Sequence, residues 1–366
     1  MPAAANEARQ RAGADHVTEV VVIGAGQAGL SAAYHLLKAG LTGASGFVVL
    51  DHGKRAGGAW QYRWPSLRLS KAHGIHDLPG MSLGPAEGDL PAADVVSAYF
   101  DRYERAFDLP VRRPVDVLSV RHAPDPGWFL VESTTESWLT RGILNATGTW
   151  DKPFWPRYPG QELFEGRQLH TADYQGAAEF SGRHVVVVGG GSSAVQQLLE
   201  IAPSAAGTTW VTRRPPVFRH EDFTPEYGRE VVAKVDRRVR EGRPPGSVVS
   251  VTGLMLTPEV RAAREAGVLH RLPMFSTLTP HGIRWADGTE RRADVILWAT
   301  GFRAALDHLA PLRLRGPGGG IRISGGGTRV ADEPRLHLIG YGPSASTIGA
   351  NRAGRVAVRE LLDELR

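Results

Sequence analysis

The chain has 366 residues, 42% of them hydrophobic and 22% charged, with 44 Gly, 25 Pro and no Cys. That length suits about two domains at roughly 100–200 residues each. The missing thiols exclude disulfides, Cys nucleophiles, thiolate metal sites and dithiol relays, so any redox chemistry belongs to a cofactor. A net charge of +5 mildly favours anionic cofactors and gives little support to nucleic-acid binding.

No run approaches the roughly 18 apolar residues of a membrane span, and Met1 to Val17 lacks the layout of a signal peptide. A cytoplasmic protein without nucleic-acid or membrane partners is expected. Residues 1–17 carry no periodic apolar face and are expected to form a flexible tail. From Thr18 to Ile23 a β-branched run leads into Gly24-Ala25-Gly26-Gln27-Ala28-Gly29 and then into LSAAYHLLKAG, apolar at helical spacing. This is a strand, a tight turn and a helix. The first glycine of such a turn makes the bend, the second lets backbone approach a pyrophosphate, and the third lets the helix pack on the strand. The next strand, Phe47 to Leu50, ends on Asp51, where a dinucleotide fold places the carboxylate that accepts from a ribose hydroxyl.

Three alternating runs follow, Val115 to His122, Trp128 to Glu132 and Trp138 to Asn145, and read as a β-meander ending on Ala146-Thr147-Gly148. The strand–turn–helix pattern then returns: His184 to Val188, Gly189-Gly190-Gly191-Ser192-Ser193-Ala194, and the helix VQQLLEIA. Here the next strand, Thr208 to Val211, runs into Thr212, Arg213 and Arg214. A carboxylate repels a 2′-phosphate and a guanidinium clamps it, so the first unit suits an unphosphorylated ribose such as that of FAD and the second suits NADPH. A hairpin is expected from Ile283 to Trp285 and Ala293 to Trp298, followed by a second such tripeptide, Ala299-Thr300-Gly301.

The fold class expected is α/β with two Rossmann-like dinucleotide-binding domains. Residues 18–159 and 296–366 form the FAD domain, and 160–295 form an inserted NADPH domain, with the chain crossing twice between them. Arg229 to Arg243 reads as a solvated amphipathic helix whose apolar side carries Val231, Val235 and Val239. His73 and His76 have no obvious third ligand, so no metal site is expected. The glycine runs at 318–320 and 325–327 read as hairpin turns.

Phe164 to Tyr174, F-E-G-R-Q-L-H-T-A-D-Y, matches FxGxxxHxxxY at every fixed position. Together with Gly57-Gly58-Ala59-Trp60 and the stretch A-T-G-T-W-D-K-P before Pro159-Gly160, it resembles class B flavin-dependent monooxygenases, in their compact bacterial subgroup, over Thr18 to about Arg355. The resemblance implies hydride transfer from NADPH to FAD, reaction with O₂ to a flavin C4a-hydroperoxide, and oxygenation of a small molecule. The Tyr174 ending favours soft sulfur or nitrogen centres, with Baeyer–Villiger oxidation as a side activity.

It further implies that Gly24, Gly26, Gly29, Asp51, Gly58, Trp60, Thr147 and a loop at Thr347 hold FAD. Gly189, Gly191, Ser192, Ser193, Arg213 and Arg214 would hold NADPH. Gln27, Ala28, Leu69, Thr300, Gly301, Gly340 and Ile348 complete the cofactor-contacting set. Ser70 stands where relatives carry an Asn beside the flavin and can donate one hydrogen bond. His170 and Tyr174 are assigned to orienting the domains and NADP⁺, with His170 as a purely structural tie the alternative. An NADPH oxidase or flavin reductase releasing H₂O₂, and a non-catalytic flavoprotein sensor, are the competing functions. The expected partners are a small-molecule substrate and O₂, and a homodimer is the default oligomer.

Overall fold

A computed structural model describes residues 2–72, 75–85, 89–219, 225–246, 253–345 and 347–366. The run HVTEVVVI, buried along most of its length, forms strand His16–Ile23 at the centre of a nine-stranded sheet. It pairs in parallel with Phe47–Leu50 on one side and Ser137–Asn145 on the other. Glu333–Leu338 adds in parallel beyond Ser137–Asn145, and Val111–Arg112 beyond Phe47–Leu50. Val117–His122 and Phe129–Ser133 complete the expected antiparallel meander onto Ser137–Asn145. Helices Gln27–Lys38 and Thr347–Leu365 share one core, in which Leu30, Ala33 and Leu36 pack with Ala353, Ala357 and Leu361.

The second sheet is parallel throughout. Its five strands lie in the order Arg271–Pro273, Gly207–Thr212, His184–Val188, Val295–Trp298, Arg167–His170. Valines 185–188 are at most 3% exposed, as expected of a sheet covered on both faces. Two Rossmann-like units, each a glycine turn between a parallel strand and a helix, therefore make up the α/β fold.

Four expectations need correction. Residues 2–12 are helical and not a flexible tail: Ala8 and Ala14 are buried against Leu130 and Leu139, and Arg11 pairs with Asp125 at 3.0 Å. Alanines are small enough to seat a helix on the meander without a strong apolar stripe. Strand Gly282–Arg284 pairs with Glu290–Arg292 and Thr277–Thr279 in a separate three-stranded sheet, and Val295–Trp298 is no part of that hairpin. The boundary between 295 and 296 falls inside Val295–Trp298, which belongs wholly to the five-stranded sheet, where its fully apolar side chains are buried. Thr347 opens the C-terminal helix instead of lying in a loop.

The amphipathic reading after Arg229 corresponds to helix Pro225–Arg240, with Val235 and Val239 buried. His73 lies outside the described residues, and no described group of three His, Asp or Glu is placed to hold a metal. Among the described residues no helix is long and apolar enough to cross a membrane.

The two segments linking the units lie side by side. Phe154 N–H donates to Gly301 O at 2.9 Å, Arg303 N–H donates to Lys152 O at 2.8 Å, and the Thr300 hydroxyl donates to Phe154 O. The crossings thus form a short antiparallel ribbon.

Candidate functional site: two glycine turns on one cleft

The two glycine turns are built alike, and the repeated Ala-Thr-Gly explains how. Gly24 N–H donates to Leu50 O (2.7 Å) and Ala146 N–H to Ile23 O (2.8 Å). In the second unit Gly189 N–H donates to Val211 O (3.0 Å) and Ala299 N–H to Val188 O (2.8 Å). Each first glycine has positive φ, +100° and +144°. A Cβ there would stand 2.6 Å from Ala146 O in the first unit and 2.1 Å from Ala299 O in the second. Each tripeptide is therefore the floor under its glycine turn, closer than any side chain would permit.

One cleft of about 2620 Å³ is lined by the first turn itself and, in the second unit, by Ser192, Val195, Gln196 and Leu199 of the helix that follows the second turn. A cavity for a single drug-sized ligand is roughly 300–1,000 Å³, so this one has room for more than one such molecule. Gly24, Gly26, Gln27, Ala28, Asp51, Gly58, Trp60, Ser70, Thr147, Ser192, Arg213 and Gly340 line it. Gly29 lies behind the turn, where a Cβ would come within 1.8 Å of Gly24 O. Gly58, with φ +50°, rests on Gly26: a Cβ on it would be 2.8 Å from Gly26 Cα. The Gly-Gly-x-Trp segment thus lies directly over the first turn. Gln27 donates to Asn351 Oδ1 (2.8 Å) and to His76 O (3.2 Å), and Gly340 N–H donates to Ser344 Oγ (3.0 Å). Thr147 Oγ donates to Ala305 O at 2.6 Å.

The strand ends after the two turns differ in charge. Asp51 is 3% exposed, with Oδ1 3.4 Å from Ala25 N–H and Oδ2 receiving Arg113 Nε at 2.7 Å. Arg113 in turn grips Glu104 through both terminal nitrogens, at 2.8 and 2.9 Å. Two carboxylates against one guanidinium leave this end negative. At the other end Arg271 donates Nε to Thr212 Oγ (2.9 Å) and Nη2 to Thr212 O (3.0 Å), beside exposed Arg213 and Arg214. No ion pair engages any of these three arginines among the described residues, so this end is positive. Sequence reading missed Arg113, Glu104 and Arg271 because each reaches the site from a distant part of the chain. Asp151, at 3.2 Å, holds the His52 imidazole above its ordinary range at the cleft wall.

Ser70 is exposed in the cleft, its N–H donating to Asp89 Oδ1 at 3.3 Å. Leu69 and Trp60 pack between the cores of the two units. Gly189, Gly191, Ser193, Arg214, Thr300 and Gly301 do not line the cleft; the last two belong to the linking ribbon. The side chains of Thr347 and Ile348 lie outside the described residues.

His170 and Tyr174 also stand away from the cleft. His170 is fully buried; its Nδ1 accepts from Ala172 N–H (3.1 Å), which leaves Nε2–H to donate to Gly301 O (3.1 Å). Burial lowers its pKa, against the pull of the Gly301 carbonyl and Asp173, so the ring is neutral with both nitrogens engaged. Tyr174 is 1% exposed and donates to Glu200 Oε2 at 2.9 Å; burial, with Glu200 beside it, raises its phenol pKa.

Two glycine-turn units facing one cleft define a two-dinucleotide oxidoreductase architecture. Residues 21–313 match the family model described as pyridine nucleotide-disulphide oxidoreductase, and the chain belongs to that family, within it to the flavin-containing monooxygenases. The flavin-containing monooxygenase from Stenotrophomonas maltophilia superposes with a TM-score of 0.81 at 38% identity, covering 96% of this chain and 100% of that one. The uncharacterized oxidoreductase CzcO of Bacillus velezensis is 30% identical over 200 residues, 55% of this chain and 56% of that protein. Indole-3-pyruvate monooxygenase YUCCA1 of Oryza sativa subsp. japonica is 24% identical over 320 residues, 79% and 77% of the two chains. The chain thus spans about half the length of the first curated relatives it matches. The disulphide of the family description has no counterpart in a chain without Cys.

Proposed function

We propose that this protein is a cytoplasmic monooxygenase that uses NADPH and FAD to place one oxygen atom of O₂ on a soft sulfur or nitrogen centre of a small molecule, with Baeyer–Villiger oxidation as a side activity. One observation carries the reading: two matching glycine-turn units share a cleft, lined by the first turn and by the helix that follows the second, and the strand ends beside them have opposite charge. The first turn fits FAD, because Gly24, Gly29 and Gly58 pack backbone on backbone more closely than a Cβ allows, while Gly26, which lines the cleft, carries no Cβ to hold a pyrophosphate off the turn. Asp51 would orient an unphosphorylated ribose there, steadied by Arg113, and Thr147 and Trp60 would close the cofactor in. Ser192 would meet the NADPH pyrophosphate at its helix N-terminus. Arg213 and Arg214, with Arg271 behind them, would clamp the 2′-phosphate.

When bound, the flavin supplies two-electron redox and oxygen chemistry. The chain's part is to bind, orient and keep water out. His170 moves no proton in this scheme, since both ring nitrogens are committed to backbone groups. The Ser70 hydroxyl is the side-chain donor offered to the reacting region. We assign the nine-stranded unit to FAD and the five-stranded unit, through Trp298, to NADPH.

The test begins with the visible spectrum of the purified protein, followed by NADPH and NADH oxidation and a panel of sulfides, amines and ketones read by mass. Bound flavin, preference for NADPH and products heavier by one oxygen atom are expected. A colourless protein that takes up no added FAD overturns the reading.

A further inference from the structure

We propose that Glu200 is a positioning residue that couples the second nucleotide site to the segment covering the first, an inference that rests on the two-cofactor reading above. Glu200 lies in the last turn of helix Ser192–Ile201, whose first residue, Ser192, lines the cleft. Its carboxylate collects three donors from two other segments. Oε1 accepts from Trp64 Nε1 (3.3 Å), and Oε2 accepts from Ser66 Oγ (2.7 Å) and Tyr174 Oη (2.9 Å).

Trp64 and Ser66 follow directly on Gly57–Trp60, which lies over the first glycine turn, yet they are anchored to the other unit. Trp64 and Leu67 are buried in the second unit's core with Leu198 and Ile201, and the Trp64 ring meets Tyr174 edge-on at 5.9 Å. At its other end the segment is wedged into the first unit. A Cβ on Gly57 would stand 2.3 Å from Ser97 Oγ, and one on Gly58 2.8 Å from Gly26 Cα. Residues 57–66 therefore form a strap with one end on each nucleotide unit, and Trp60 and Ser70 face the cleft from it or just beyond it.

A ten-residue helix moves as a rigid rod. A ligand that settles Ser192 at its N-terminus also settles Glu200 at its C-terminal end, and with it the strap. The physical link is a carboxylate with three donors, which is strong while complete and costly to leave partly satisfied. The Tyr174 that ends FxGxxxHxxxY thereby has a stated partner.

Hydrogen–deuterium exchange on the protein as purified, with and without NADP⁺, tests the coupling through peptides covering residues 57–71. In the wild type, NADP⁺ is expected to slow exchange there. Glu200→Ala should speed it by about tenfold or more and abolish the NADP⁺ response, while peptides from His16–Ile23 stay unchanged. Glu200→Gln keeps one acceptor and should restore part of both. Trp64→Phe removes a single donor and should shift exchange in the same direction by a smaller factor, which serves if Glu200→Ala does not fold.

Wild-type exchange in these variants, persistence of the NADP⁺ response in Glu200→Ala, or a rise spread evenly over the chain overturns the proposal. A wild type that shows no NADP⁺ effect on residues 57–71 also overturns it. The absence of flavin from the purified protein would sink the monooxygenase reading instead, and it is read separately by absorbance.

Discussion

Adding one methyl group at Gly29 tests whether the first glycine turn is built as described. A Cβ at this position would lie 1.8 Å from Gly24 O, a backbone atom, and a Cβ is itself fixed by the backbone, so no rotamer change relieves the overlap. The helix must retreat from its strand by more than an ångström, although it is packed on the other side against the C-terminal helix. Helix propensity alone makes Gly→Ala worth about 1 kcal/mol in favour of alanine. Overpacking of this kind costs about 3 kcal/mol and decides the sign. The net loss of about 2 kcal/mol corresponds, for a unit of this size, to a fall in Tm of roughly 4–8 °C.

Because the helix N-terminus faces the cradle, flavin occupancy should fall as well. The second unit supplies the control: Ala194 occupies the equivalent place fully buried, so Ala194→Gly should cost only about 1 kcal/mol and leave flavin content unchanged. Differential scanning fluorimetry and the flavin-to-protein absorbance ratio measure both variants. A Gly29→Ala protein with wild-type Tm and full flavin would refute the geometry of the turn.

Arg213→Gln should raise KM for NADPH by about tenfold or more with little change for NADH, the loss of roughly 1.5–3 kcal/mol from a charged hydrogen bond; equal effects on both coenzymes would contradict the assignment. Arg271→Gln should shift KM in the same direction, since Arg271 braces Thr212 beside the same strand end, and steady-state kinetics with the two coenzymes would expose an error. Asp51→Ala leaves the partly buried Arg113 with Glu104 alone and should lower the urea midpoint by the equivalent of about 3 kcal/mol, part of which the double variant with Arg113→Met recovers; additive losses would argue against the pair. Burial pushes the His337 imidazole down to about 3 and His308 to about 4. Both groups take up protons in the unfolded chain near pH 6.5 before they do so in the folded one, so stability is complete above that pH and declines as pH falls toward 4 and 3. His337→Gln should flatten that acid limb, and a urea series from pH 7 to 4 with an unchanged slope would refute this.

The parts of the site that could be read in the sequence are those made by neighbours along the chain. A β-branched run, three spaced glycines and an apolar helix determine a strand–turn–helix locally, and Asp51 or Arg213 follows at the end of the next strand. The repeated Ala-Thr-Gly was visible, but its use as the floor of each turn was not, because that depends on strands more than 100 residues apart pairing in parallel. The same reason hid Arg113, Arg271 and Glu200: isolated charged residues carry no periodic signal, and only the folded chain puts each beside its partners. The N-terminal helix was missed because alanine packing on a ready-made sheet needs no strong amphipathic pattern. His170 lies in the motif that carried the resemblance, and its commitment to Gly301 O emerges only in three dimensions.

The ribbon of the two crossings has a mechanical consequence. A single peptide joining two bodies acts as a swivel, free to turn about several axes. Two strands laced together at Lys152, Phe154, Gly301 and Arg303 act instead as a flat strip, compliant across its face and stiff within its plane. Any swing of one half against the other would thereby be steered along a single arc, as a book turns on its spine.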